Sequence, residues 1–279
     1  MRATKRLLLS AVWISFLCLP NFAAAKIEVV LGNIPLDQNP NLATNIPVSL
    51  ESEIVLSRDQ YILSYNKYKR VPNWVAWKLE PDQMGNSGRT NKFKADLDLE
   101  DYLVKNSLSE HAVTQTEYKG SCYDRGHQVP SADRTDTREN NESTFLMSNM
   151  IPQTPYLNRV LWAHFEKYSR DLVKKQGKKI YVIAGPIFDQ DFGAIGPDQN
   201  IKVPSKEFKI LFIFDANETL ENIVAVIMPN TLKDGSNPKH NRTALCSPLT
   251  TAPENKDDWL KYKTTVLEIE KLSGLQIIK

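Results

Sequence analysis

Cysteine is scarce in this chain of 279 residues, with three in all: Cys18, Cys122 and Cys246. So few, so widely spaced, lack the clustering of a zinc ligand set. Charge of one sign is not in excess either, with 35 basic against 33 acidic side chains. The first 25 residues hold three of the basic groups (Arg2, Lys5, Arg6) and no acidic one, so the remainder has 32 basic against 33 acidic. Net charge therefore supplies no attraction to a polyanion, and any such binding must come from local basic clusters. There is no repeat and no low-complexity tract. After residue 25 no stretch is long and apolar enough to cross a bilayer.

What is present begins at the amino terminus. Arg2, Lys5 and Arg6 precede an apolar run from Leu7 to Leu19, and Ala23-Ala24-Ala25 supplies small residues. This is the pattern of a secretory leader over residues 1–25, cleaved after Ala25, and it predicts an exported protein, periplasmic or extracellular, without stable membrane association. An uncleaved anchor is the rival reading. Export leaves Cys122 and Cys246 as an even pair, a disulfide candidate in an oxidising compartment. Closing so long a loop contributes on the order of 4–5 kcal/mol in the chain-entropy picture.

Residues 26–52, rich in Asn, Pro and Leu without period, read as an arm or loop before one domain at 53–279. Ile54–Leu56 and Tyr61–Tyr65 predict strands around a turn at Arg58-Asp59, and Trp74–Leu79 another. Leu99–Val113 reads as irregular or a short helix. Lys179–Ala184 and the hairpin runs Phe208–Phe214 and Ile223–Met228 are nearly all apolar, which suits the middle of a sheet covered on both faces. Thr265 and Glu268 predict a capping box, with Gly274 ending the helix. The fold class is mixed α/β, a largely antiparallel sheet flanked by helices.

Chemistry concentrates between residues 121 and 170. Asp124-Arg125-Gly126-His127 opens the stretch and Ser148-Asn149 follows. A helix then carries Leu157, Leu161, Phe165, Tyr168 and Leu172 on its apolar face. Asn158, Trp162, Glu166 and Arg170 recur at steps of four along the adjacent face. Asn158 and Glu166 are two turns apart, roughly 12 Å of rise. A cation held directly by the Asn158 amide oxygen therefore reaches Glu166 only through a water, which suits Mg²⁺. A neutral His127 takes a proton from water near neutral pH. Arg125 or Arg89 offers positive charge to a phosphodiester in attack, and Asp124 fixes the His127 tautomer or positions Arg125. The bland alternative is a surface helix with a Glu166–Arg170 ion pair. His164 lies off the apolar face, and His111 and His240 have no companions.

These residues resemble a known family. Asp124-Arg125-Gly126-His127 looks like the signature of the DNA/RNA non-specific endonucleases, a ββα-metal fold. Ser148-Asn149-Met150-Ile151-Pro152-Gln153, then Asn158, Trp162 and Glu166, follow at that family's spacing. Glu166–Arg170 is similar to its endonuclease G branch, and the likeness covers about residues 60 to 278. The resemblance implies hydrolysis of DNA and RNA to 5′-phosphate products, with Mg²⁺ as cofactor and Mn²⁺ as substitute. It makes His127 the general base, Asn158 the direct metal ligand and Glu166 the holder of metal-bound water. It sets Arg125, Asn149 and Arg170 around the phosphate and the site. The early phosphate-binding arginine falls on Arg89, or, in a shifted register, its place is taken by Asn91. A site that touches only the backbone reads no bases, and nothing resembles a base-reading helix-turn-helix, zinc finger or basic zipper. A phosphodiesterase for small substrates and a weakly catalytic binding protein on the same scaffold stay open. So do a homodimer and an inhibitor protein as partners.

Overall fold

The computed structural model describes residues 27–42, 47–49, 53–106, 108, 111–249 and 255–277, so the expected leader lies outside the described residues. In chain order the longer strands are β1 Ile27–Gly32, β2 Glu53–Ser57, β3 Ile62–Asn66, β4 Val71–Leu79, β5 Asp124–His127, β6 Met150–Gln153, β7 Lys179–Ile187, β8 Lys206–Phe214 and β9 Leu220–Pro229. A two-residue strand, β10, is Lys263–Thr264. The helices are α1 Leu97–Lys105, α2 Arg138–Ser143, α3 Ala163–Gln176, α4 Arg242–Cys246 and α5 Val266–Ser273.

Eight strands make the main sheet, ordered β1-β2-β3-β4-β7-β8-β9-β10. All neighbours are antiparallel except β1 and β2. Alternation along each strand sends successive side chains to opposite faces. Trp77, Leu211 and Ile213 meet Leu157, Leu161 and Phe165 on one face. Trp74, Phe208, Ile210 and Phe212 meet Ile269 and Leu275 on the other. Each such side chain, fully buried, stabilises the fold by about 1.5–3 kcal/mol, which accounts for the apolar residues that β8 sends to both faces. Thr265 caps α5 by accepting from the Glu268 amide, and Gly274 ends it at φ 72°.

Three expectations need correction. The arm is not wholly irregular, because Ile27–Gly32 pairs in parallel with Glu53–Ser57. The site helix is not regular throughout, since Leu157–Trp162 is π-helical before α3 begins. Such wider turns recur at functional sites, and this one carries Asn158. β8 is also not purely apolar inside: Glu207 and Lys209 are buried at 0% and 1% exposure, on the face that looks toward α3.

Candidate active site

A two-stranded ribbon lies apart from the main sheet. β5 pairs antiparallel with β6, Asp124 opposite Gln153 and His127 opposite Met150. Together with α3 it makes a strand–strand–helix unit. Two-residue alternation puts Arg125 and His127 on one face of β5, with Asp124 and Gly126 on the other. Gly126 is required by close approach, because a Cβ there would stand 2.2 Å from the Gln153 side chain. Gln153 cannot yield easily. Its amide donates to the Glu207 carboxylate at 2.7 Å, and Gln128 donates to the same oxygen at 2.6 Å. Glu207, on β8, thus braces the ribbon from beneath, and burial raises its pKa to about 7.

His127 is 7% exposed and sits edge-on between Phe93 and Phe145, at centroid distances of 5.6 and 4.8 Å. Each of those rings carries a guanidinium. Arg125 stacks 3.9 Å from the Phe93 centroid and Arg89 4.9 Å from that of Phe145. Burial first, then the positive charges of Arg89 and Arg125, depress the imidazole pKa to about 3, with a hydrogen bond to the Arg125 backbone pulling upward. Nε2 has no protein partner. The Trp162 indole N–H donates to the His127 carbonyl at 3.3 Å, joining ribbon to helix.

Asp124 does something other than expected. Pointing away from the imidazole, it accepts from Asn158 Nδ2 at 2.8 Å and from Arg159 at 2.7 and 2.6 Å. With the amide nitrogen so held, the Asn158 oxygen is the free end of that side chain. The pairing with Arg159 spans 35 residues and had no local signal in the sequence.

Glu166 lies on α3 with its carboxylate 3.6 Å from Lys209 Nζ and 3.9 Å from Arg170 Nη1, both too long for direct hydrogen bonds. Burial raises its pKa, while Lys209 and then Arg170 oppose the rise. Arg170 is itself fixed by Asp133 at 3.0 Å, whose other oxygen accepts from the Trp77 indole. Lys209 lies 4.1 Å from the Trp162 ring centroid and 5.2 Å from that of Trp77, and its ammonium makes no hydrogen bond. Sequence reasoning gave Lys209 and Glu207 no role in the site. The available signal was Glu207 and Lys209 at period two, entering the apolar run that ends at Phe214.

Two further expectations change. Asn149 is fully buried, with its amide committed to Val129 and Thr144 backbone at 2.9–3.1 Å, so it shapes the ribbon and cannot face a phosphate. His111 does have a companion, Glu100, at 2.8 Å. Asn91, at φ 54°, accepts from Arg89 Nε at 2.8 Å, so the guanidinium of Arg89 is the group held at the imidazole. His164 is part-buried. Cys122 and Cys246 are joined, tying the chain ahead of β5 to α4. Among the described residues no three His, Cys, Asp or Glu side chains cluster to enclose a metal. The available oxygen donors are the Asn158 amide and the Glu166 carboxylate.

On a mixed α/β scaffold, the ribbon and helix gather an imidazole, guanidiniums and oxygen donors, the groups that phosphodiester cleavage uses. The model of the DNA/RNA non-specific endonuclease family matches residues 37–278, beginning inside the stretch read as an arm. A nuclease of Nostoc sp. is 37% identical over 256 residues, covering 91% of this chain and 81% of that protein. Human mitochondrial endonuclease G is 31% identical over 193 residues, or 65% of this chain and 62% of its own length. Among solved structures, a crystal structure of an EndoG/EndoGI complex shares the fold at TM-score 0.60 and 24% identity, covering 80% of this chain and 84% of that one. The chain belongs to the DNA/RNA non-specific endonuclease family and is a hydrolytic endonuclease.

Proposed function

We propose that the enzyme is exported, acts on both DNA and RNA through their backbones, and requires Mg²⁺, for which Mn²⁺ can stand in. The observation that carries the catalytic part is His127: an imidazole held uncharged by burial and two flanking guanidiniums, with no protein partner at Nε2. The imidazole takes the proton from the attacking water. Arg89 and Arg125 receive the non-bridging oxygens. When the anionic phosphate arrives between them, their repulsion of a proton on His127 is offset and the imidazole becomes a stronger base.

The donor set fits a cation that keeps most of its water. Asn158 offers one oxygen directly, and Glu166, free of direct hydrogen bonds, accepts from water at that position. A divalent cation held by Asn158 and, through water, by Glu166 would supply positive charge against the charge that develops on the phosphodiester. Lys209 and Arg170 hold Glu166 in place and oppose the rise in its pKa that burial causes. Export rests on the residue 1–25 pattern and agrees with the Cys122–Cys246 bond. An inhibitor protein covering the ribbon belongs to the same proposal, in line with the inhibited complex of the structural neighbour.

The test is cleavage of plasmid DNA and of RNA by purified protein across Mg²⁺, Mn²⁺, Ca²⁺ and EDTA. Cleavage that persists in EDTA would exclude the cation from the reaction.

A further inference from the structure

A cleft of about 420 Å³ opens beside the ribbon, lined in part by the segment that leads into β5. One wall is the segment leading into β5, with Lys119 and Tyr123; the other includes Arg242 and Leu245 of α4. The Cys122–Cys246 bond joins the two walls with Cα atoms 5.0 Å apart, and Arg242 donates to the Gly120 carbonyl, so the width is set covalently and by hydrogen bonding. Its charges are not balanced. Glu117 is paired with Arg70, and Lys239 with Asp191, whereas Lys119 and Arg242 are exposed and have no carboxylate partner among the described residues. Gly120, at φ 75°, leaves the backbone there open, with nothing within 4 Å of where a Cβ would lie.

The cleft is continuous with the catalytic ribbon. Tyr123 stands two positions before Arg125, in phase with Arg125 and His127. Gln115, one residue before the cleft wall begins at Thr116, accepts from Arg125 at 3.4 Å. The proposal rests on His127 and Arg125 marking where the bond is cut. We propose that Lys119, Arg242 and the Tyr123 phenol form a phosphate subsite for the polynucleotide flanking that bond. It takes DNA or RNA alike, because it meets the backbone and no base edge. Four residues of extended chain separate Tyr123 from His127, about 13 Å. At about 3.4 Å of rise per nucleotide in a duplex, that is roughly four nucleotides, so a dinucleotide held at His127 does not reach the cleft.

The test compares steady-state cleavage of a 24-base-pair duplex and of a dinucleotide by wild type and by Lys119→Gln/Arg242→Gln. In the variant KM for the duplex rises about tenfold, and the slope of log affinity against log salt falls by about 1.8, the value for two lost phosphate contacts. The preference for duplex over dinucleotide falls with it. Lys174→Gln/Lys175→Gln on exposed α3 gives the control for loss of two charges. A wild-type duplex KM and salt slope in the cleft variant, or an equal change in the α3 control, would overturn the subsite while leaving the nuclease reading intact. Failure of the wild type to cut the duplex at all would overturn both.

Discussion

Replacing Lys209 by methionine tests whether the site is held from below. Methionine keeps an apolar chain of similar length and removes the ammonium, which lies both 3.6 Å from Glu166 and over the Trp162 ring. At an effective dielectric near 20, the lost attraction is on the order of 4–5 kcal/mol. Breaking a buried pair by removing one partner costs about 3–5 kcal/mol. Arg170 remains at 3.9 Å, which favours the lower end, about 3 kcal/mol. For a domain of this size the melting temperature drops by roughly 6–12 °C. Adding Glu166→Gln removes the stranded charge, so the double variant recovers most of that loss and the cycle shows strong coupling. The Glu166 carboxyl, already raised by burial, moves higher without Lys209, so the acid limb of kcat/KM shifts upward. Calorimetry of the four proteins decides it. A drop under about 2 °C for Lys209→Met, or simple additivity in the double variant, would show that Lys209 and Glu166 do not act as a pair.

His127→Ala lowers kcat by about a thousandfold, within the range of general-base removal, while duplex affinity in Ca²⁺ stays near wild type; unchanged turnover removes the imidazole from the role of base. Asn158→Ala raises the Mg²⁺ concentration needed for half-maximal rate sharply, read by metal titration, with Asp124 still held by Arg159. Because the folded pKa of His127 is near 3 against 6.5 in the unfolded chain, its contribution to stability is complete above pH 6.5 and lost as pH falls toward 3. The loss reaches about 5 kcal/mol, and His127→Gln flattens that part of the denaturation profile relative to wild type. Reduction of Cys122–Cys246 lowers stability by up to about 5 kcal/mol in the chain-entropy picture, seen as a lower urea midpoint under reductant.

What the sequence could show was whatever one element carries by itself. The nearly unbroken apolar runs Phe208–Phe214 and Ile223–Met228 marked two strands, and those strands pair side by side, sixth and seventh of the eight in the sheet. Thr265 and Gly274 marked both ends of α5 because a cap is local chemistry. Contacts made across the fold were another matter. Ile27–Gly32 has no hairpin to announce it, since its partner strand is parallel and reached through a long loop. Asp124 was paired in expectation with its sequence neighbours, yet its carboxylate is claimed by a residue 35 positions on. Lys209 inside an apolar strand is intelligible only once Trp162 and Glu166 are known to lie above it.

The same distinction applies to the imidazole itself. The motif places His127 on β5 beside Arg125, but three other features come from elsewhere. Phe93 and Arg89 arrive from a loop before α1, and Phe145 from the end of α2. They dry the ring and flank it with a second cation, and both effects disfavour its charged form. A motif specifies which group can accept a proton; the loops that pack around it determine whether, before substrate arrives, it already has one.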